Sequence, residues 1–225
     1  MRNGKRCINQ MEKLLHTIFL KSPPNLWDAF EAECQKFYNE PAHSLVDMRT
    51  RDNKKVRGDI FEDFCVVYLR KVAGYDNAWR LPDVPADILE KLGMKRQDFG
   101  IDLIVEKGGK YSAVQCKYKK HVSSKINMVT WKALSTFYAL CLRTGPWEKY
   151  IVMTNCSYVR HQGKKNAKDV SIGLKKLQSM TKTQWTAMCD LEENVMTEEN
   201  VENPKTPAEL RAARLKFFAI ENGIK

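Results

Sequence analysis

Two short stretches carry side chains whose types and spacing could do chemistry. In Ile101-Asp102-Leu103-Ile104-Val105, the two-residue period of a strand puts Asp102 on the face opposite Ile101, Leu103 and Val105. In Ala113-Val114-Gln115-Cys116-Lys117 the same period brings Gln115 and Lys117 onto one face. Gly108-Gly109 lies between them as a hairpin signal, so a carboxylate, an amide and an ammonium can converge at one end of a hairpin. Glu62 is a fourth member. On a helix it lies within about 40° of Val66 and about 20° of Leu69, at the head of an otherwise apolar stripe that adjoins Phe61, Cys65, Tyr68 and Val72. A carboxylate bordering a buried face needs a partner, and a metal ion or a lysine is the usual one. The plainer role for Glu62 is a helix-start glutamate interacting with the dipole.

The chemistry such a group suits is phosphodiester hydrolysis. The scissile phosphate is negative and repels hydroxide, so a hard divalent cation on carboxylate and carbonyl oxygens is needed to bind it, with a further cation beside the attacking water. Asp102 is expected to hold the ion, Glu62 to hold it directly or through water, and the Cys116 backbone carbonyl to serve as a further ligand. Lys117 is expected to orient or activate the water and to offset the developing charge. The expected cofactor is a hard divalent cation, which the family resemblance given below narrows to Mg²⁺, with Mn²⁺ as a substitute. The Cys116 side chain alternates onto the face of Val114 and reads as core, not as a reactive thiol.

The elements that must position these residues follow from period and punctuation. Gly58 to Val72 reads as a helix with Asp59 near its start. Ile101 to Glu106 and Tyr111 to Lys117 read as the hairpin strands, Met128 to Leu142 as a helix, Gly145-Pro146 as a turn, and Tyr150 to Thr154 as a third strand. Lys164 to Met180 is basic and reads as partly helical. Upstream, Leu26, Phe30, Cys34, Phe37 and Tyr38 recur at helical spacing after Pro23-Pro24-Asn25, and Thr50 to Arg57 reads as a polar linker. Downstream, Asp190 to Glu202 holds six acids and no base, as an exposed connector does, before a final helix over Pro207 to Glu221. Helices on a mixed sheet in an α/β layer are the implied architecture.

Taken together, Phe61-Glu62, then Asp98-Phe99-Gly100-Ile101-Asp102, then Ala113-Val114-Gln115-Cys116-Lys117 resemble the PD-(D/E)XK nuclease superfamily, in particular its Mrr-like branch, where Gln-x-Lys stands in place of Glu-x-Lys. The stretch Trp79 to Lys117, with Leu81, Pro85, Leu92 and Asp98, is further similar to the nuclease module that precedes the helicase in some large restriction enzymes. The resemblance covers about Gly58 to Met180. It implies a restriction-endonuclease-like core, a mixed four- to five-stranded sheet flanked by helices, over residues 58–189. A helical N-terminal extension and linker (1–57) and an acidic connector with a C-terminal helix (190–225) would flank it. It also implies a Mg²⁺-dependent endonuclease of restriction type acting on duplex DNA, with Glu62, Asp102, Gln115 and Lys117 as the site. Cutting both strands takes two such sites, so a homodimer is expected. Gln115 departs from relatives that carry a second carboxylate there; a neutral amide oxygen is a poorer ligand and lowers the negative charge of the site by one.

Charge supports a polyanion partner. The chain has 225 residues and a formal net charge of +11. Between Lys107 and Cys189 there are sixteen lysines and arginines against two acids, Glu148 and Asp169, or +14, which leaves −3 elsewhere. A basic excess in one continuous stretch is the footprint of nucleic acid, since each neutralised phosphate releases counterions. Arg160, Lys164, Lys165 and Lys168 are the first candidates for backbone phosphate contacts, and Lys119, Lys120 and Lys125 form a second patch. His121 and His161 read as surface residues.

At 26.1 kDa the chain has room for one substantial domain and an appendage, which excludes a large motor. The apolar run Ala133 to Leu142 is too short to span a membrane. Gly108-Gly109-Lys110 lacks the spacing of a phosphate-binding loop, so no nucleotide cofactor is expected. Seven cysteines without a CxxC pair suit a reducing intracellular compartment, cytoplasm or nucleus, rather than a disulfide framework or zinc site. Three rival readings remain on sequence grounds: a structure-selective nuclease of repair or junction resolution, a catalytically weak DNA-binding relative, and an interaction module built on residues 190–225.

Overall fold

Alternating apolar residues along 103–117 form the centre of a sheet whose two faces are both covered. The computed structural model describes residues 2–39, 53–96, 100–120, 127–160 and 166–189, which fall in one unit, Met1–Leu191. A second unit, Glu192–Lys225, lies outside the described residues, and with it the expected acidic connector and last helix. The chain runs through α1 (Arg2–Leu20), α2 (Leu26–Asn39), α3 (Asn53–Lys71), β1 (Asn77–Arg80), a 3₁₀ turn (Leu81–Asp83) and α4 (Ala86–Lys91). It continues through β2 (Leu103–Lys107), β3 (Lys110–Lys117), β4 (Met128–Val129), α5 (Trp131–Cys141), β5 (Tyr150–Thr154), β6 (Tyr158–Val159), β7 (Asp169–Ile172), α6 (Leu174–Gln178) and α7 (Lys182–Met188).

The main sheet is mixed and five-stranded, in the order β1-β2-β3-β5-β7. The first three strands pair antiparallel and β3, β5 and β7 pair parallel. This is the flanked mixed sheet expected of a restriction-endonuclease-like core. Side-chain alternation divides the interior in two. Leu103, Val105, Val114, Cys116, Ile151 and Met153 face α1, α2, α3 and α7; Ile104, Ala113 and Val152 face α4, α5 and the Trp147 loop.

Helix α3 is the keystone of the first layer. Phe61 and the continuous run Phe64, Cys65, Val66, Val67, Tyr68 and Leu69 are buried, so the second half of the helix is enclosed all round, while Asp59, Glu62 and Asp63 keep one face of its first half polar. The reason is its position between the sheet and the N-terminal helices, whose Met11, Leu15, Ile18, Trp27 and Phe30 complete the same core. Trp27 meets Phe64 edge-on at 5.3 Å between ring centres.

Several elements differ from expectation. Helix α3 begins at Asn53, so residues 53–57 are helix rather than linker, and Gly58 sits inside it; nothing between 53 and 57 breaks a helix, and an interior glycine costs only about 1 kcal/mol. Strands β1 and β7 were not foreseen. The segment Asp169–Ile172 within the lysine-rich stretch is a strand, with helix confined to the short α6 and to α7, which starts at Lys182. Helix α5 starts at Trp131 because Met128–Val129 pairs in parallel with Tyr158–Val159. Ile101 packs with Ile104 and not with Leu103 and Val105, because the regular ladder begins only at Leu103. Among the described residues no helix is long and apolar enough to cross a membrane, and Cys34, Cys65, Cys116, Cys141, Cys156 and Cys189 are buried free thiols.

Candidate active site

The approach of the chain to Asp102 is fixed by a residue that must be glycine. Gly100 has φ +129°, and a Cβ there would lie 3.2 Å from the backbone carbon and Cγ2 of Thr136 in α5. Only a residue without a side chain passes that close in that conformation. Asp102 is then bonded on both sides: its N–H donates to the Val114 carbonyl at 2.9 Å, and its own carbonyl accepts from the Leu81 N–H at 2.9 Å.

The Asp102 side chain is held as tightly. Its Oδ2 accepts from the Cys116 backbone N–H at 2.6 Å and from Gln115 Nε2. Gln115, 2% exposed, is thus a donor to the carboxylate. Burial pushes the Asp102 carboxyl above its ordinary value, and the Cys116 N–H, the Lys117 charge, Gln115 and Arg80 partly offset this. Lys117 closes β3 opposite Thr154 of β5, whose Oγ1 donates to the Lys117 carbonyl at 2.6 Å. Cys116 points into the core against Cys65, and burial raises both thiols, so neither is a ready nucleophile.

Glu62 comes to this point from α3. Its carboxyl is pushed up to about 7, first by burial and next by the charge of Asp102, against the pull of Arg80. Arg80 was not singled out in the sequence. It ends β1 and its guanidinium gathers three carboxylates of α3: Asp59 at 2.9 Å, Glu62 at 3.1 Å and Asp63 at 3.3 Å. A signal did exist: Asp59, Glu62 and Asp63 stand at i, i+3 and i+4 on one helix face, where like charges repel unless a cation from elsewhere joins them.

A second unforeseen residue is Asn155, just beyond β5 and 1% exposed. It accepts from the Lys119 N–H at 2.8 Å and donates to the Lys119 carbonyl at 2.7 Å and to Glu31 of α2 at 2.8 Å. It therefore clamps the chain two residues past Lys117 to both the sheet and α2.

The donor set suits a hard divalent ion with few protein ligands. Among the described residues no three Asp, Glu, His or Cys side chains cluster so as to hold a metal. Mg²⁺ typically takes one or two carboxylates and keeps several waters, and Asp102 and Glu62, which feels the Asp102 charge, are the carboxylates that could serve it. Burial is the first cause of the raised Glu62 carboxyl and the Asp102 charge the second; a cation held by both would offset that second part.

The family model Mrr_cat_2, described as restriction endonuclease, matches residues 70–194, more than half of the chain. The chain belongs to this restriction endonuclease family. No curated protein and no solved structure matches it. Membership makes it a nuclease with DNA as substrate, and domains of this kind generally use divalent metal ions. Arg80, Asp102, Gln115 and Lys117 lie within the matched range; α1, α2 and Glu62 lie before it.

Among the described residues of this restriction endonuclease, the candidate basic side chains do not form one patch. Lys119 reaches the Met128 carbonyl through Nζ at 2.7 Å, and Lys120 and Arg160 are exposed near the ends of β3 and β6. Lys168 is at the other end of the strands, preceding β7, where Nζ donates to the Trp147 carbonyl at 2.8 Å and lies 5.9 Å from the centre of the Tyr150 ring. Lys125, Lys164 and Lys165, like His121, His161 and Asp98-Phe99, lie outside the described residues.

Proposed function

We propose that the protein is a Mg²⁺-dependent endonuclease of Mrr-like restriction type that hydrolyses phosphodiester bonds in duplex DNA, with Asp102, Glu62, Gln115 and Lys117 as its site. The observation that carries this reading is the Asp102 carboxylate, fixed by Cys116 N–H and Gln115, with its charge adding to the burial that raises the Glu62 carboxyl. Asp102 and Glu62, with the Cys116 carbonyl, would hold the ion. When bound, a divalent cation supplies positive charge against the phosphate and acidifies water. Gln115 keeps Asp102 in one rotamer and, as a neutral amide, adds no further repulsion. Lys117 directs its ammonium to the attacking water and to the charge that grows on the phosphorus oxygens. A homodimer would supply the second site for double-strand cleavage.

The test is plasmid nicking in Mg²⁺ or Mn²⁺ by the wild type, Asp102→Ala and Lys117→Ala. Nicking by the wild type, lost by at least 10²-fold in both variants with DNA binding retained, is the expected result. Undiminished nicking by either variant would remove that residue from the site. Magnesium-independent binding without nicking would favour the catalytically weak relative instead.

A further inference from the structure

Beyond the carboxylate pair, the same end of the sheet carries a groove of about 390 Å³ between β6, β7 and α6, lined by Ser157, Val159, Ser171, Lys175, Lys176 and Ser179. We infer that this groove is a second anchor for the substrate, binding the sugar-phosphate backbone of the duplex away from the scissile bond through the ammonium groups of Lys175 and Lys176. The inference rests on the nuclease reading above and extends it to a surface outside the reacting centre.

Three observations carry it. Both lysines are exposed, and among the described residues neither makes an ion pair, so their charge is available to an anion. The groove walls are also fixed. The Leu174 N–H donates to the Cys156 carbonyl at 3.0 Å, and a Cβ on Gly173 would come within 3.0 Å of that same oxygen, so α6 is drawn against the exit of β5. Its far end is tied to α2: Gln178 Nε2 donates to Asp28 at 3.0 Å, and Asn25 Nδ2 donates to the Gln178 carbonyl at 3.3 Å.

Placement is the third. Lys117 is opposite Thr154, and Met153 is opposite Ile172, so the parallel strands β3, β5 and β7 end together and the groove opens just past the last two. Two strand spacings separate Lys117 from the end of β7, roughly 10 Å. A duplex whose axis runs across the strand ends, with about 3.4 Å of axis per base pair, would bring a phosphate roughly three base pairs from the one at Lys117 to the groove. Lysines that touch only phosphate position a duplex without reading it.

The experiment measures binding of the full chain to a labelled 30-base-pair duplex in EDTA from 50 to 200 mM KCl, for wild type, Lys175→Ala/Lys176→Ala, Lys175→Arg/Lys176→Arg and Lys110→Ala/Lys149→Ala. The last pair removes the same charge at the opposite ends of β3 and β5. The alanine pair in the groove is expected to flatten the slope of log K against log[salt] by about 2, the arginine pair to keep the wild-type slope, and the control pair to leave it unchanged. An unchanged slope in the groove variant, or an equal loss in the control, overturns the groove. The two readings fail separately. A wild type that binds with the groove-dependent slope but never nicks plasmid in Mg²⁺ loses the cleavage reading and keeps the groove; a wild type that nicks while the groove variant keeps its full slope does the reverse.

Discussion

Gln115→Glu tests the electrostatics of the site most directly. In the wild type, Gln115 Nε2 donates to Asp102 Oδ2 in a position that is almost completely buried. A glutamate of nearly the same shape removes that donor, and a hydrogen bond to a charged acceptor contributes about 1.5–3 kcal/mol. It also sets a second carboxylate against the first. At about 3 Å and an effective dielectric of about 20 the repulsion would be about 5 kcal/mol, more than the cost of protonating one of the pair. The pair therefore takes up a proton. Holding a carboxyl of ordinary pKa about 4.3 protonated at pH 7.5 costs about 4 kcal/mol, which sets the ceiling on destabilisation. For a chain of this size that is a drop of roughly 10 °C in Tm. At pH 5.5 the same calculation leaves about 1.6 kcal/mol, so most of the gap should close. Differential scanning fluorimetry in EDTA at the two pH values, repeated with Mg²⁺ at pH 7.5, measures all of this. Mg²⁺ should raise the Tm of the variant more than that of the wild type, because it replaces the shared proton. A variant within about 2 °C of wild type at pH 7.5 in EDTA, or an equal deficit at both pH values, would refute the contact between residues 102 and 115 as the source of the effect.

Three further outcomes are expected. The ion-free protein should lose stability as pH rises from about 4.5 to about 7, because Glu62 binds its proton more tightly folded than unfolded; the full excursion is about 3 kcal/mol, and Glu62→Gln should flatten that part of a urea-midpoint profile. Arg80→Ala leaves Asp59, Glu62 and Asp63 facing one another, which should cost about 2–3 kcal/mol at neutral pH after allowance for their partial exposure, less at pH 5, with Arg80→Lys recovering part of it in the same titration. Gly100→Ala, at φ +129° and against Thr136, should cost about 1–3 kcal/mol by chemical denaturation and weaken nicking with it, since the strain falls two residues from Asp102.

The hairpin was legible because two independent signals agree there: a two-residue period on either side of Gly108-Gly109, and polar residues at the positions where the period puts one face. Pairing of Leu103 with Val114 carries the same register forward to Asp102 and Gln115. Strand β7 was not legible because its four residues are half-buried or exposed and flanked by lysines, so neither alternation nor an apolar run marks it; pairing to β5 decides it. Strand β1 buries only Ala78 and owes its place to β2. Arg80 was hidden for a different reason. Its partners are 17 to 21 residues earlier on another element, and no local pattern expresses a distance of that kind. The three carboxylates on α3 showed that a cation was required and not which one. Asn155 is similar: Glu31 is 124 residues away, so only the folded chain brings them together.

Charge balance around Asp102 connects these residues to one another. Asp59, Glu62, Asp63 and Asp102, if all ionised, bring four negative charges; Arg80 and Lys117 bring two positive ones. On the proposed reading, one divalent cation would neutralise this balance of −2; in its absence burial, and after it the Asp102 charge, push Glu62 up to about 7. Gln115 fits this count. A carboxylate at that position would make the balance −3 and leave one charge unmatched by a single ion, whereas an amide holds Asp102 without adding to the deficit. Arg80 has the complementary part: its one positive charge is divided among Asp59, Glu62 and Asp63, all within 3.3 Å, so it offsets only part of their charge. On the proposed reading, the lack of a second carboxylate in the Gln-x-Lys strand is offset by α3, whose three carboxylates exceed the charge of the guanidinium and ammonium together.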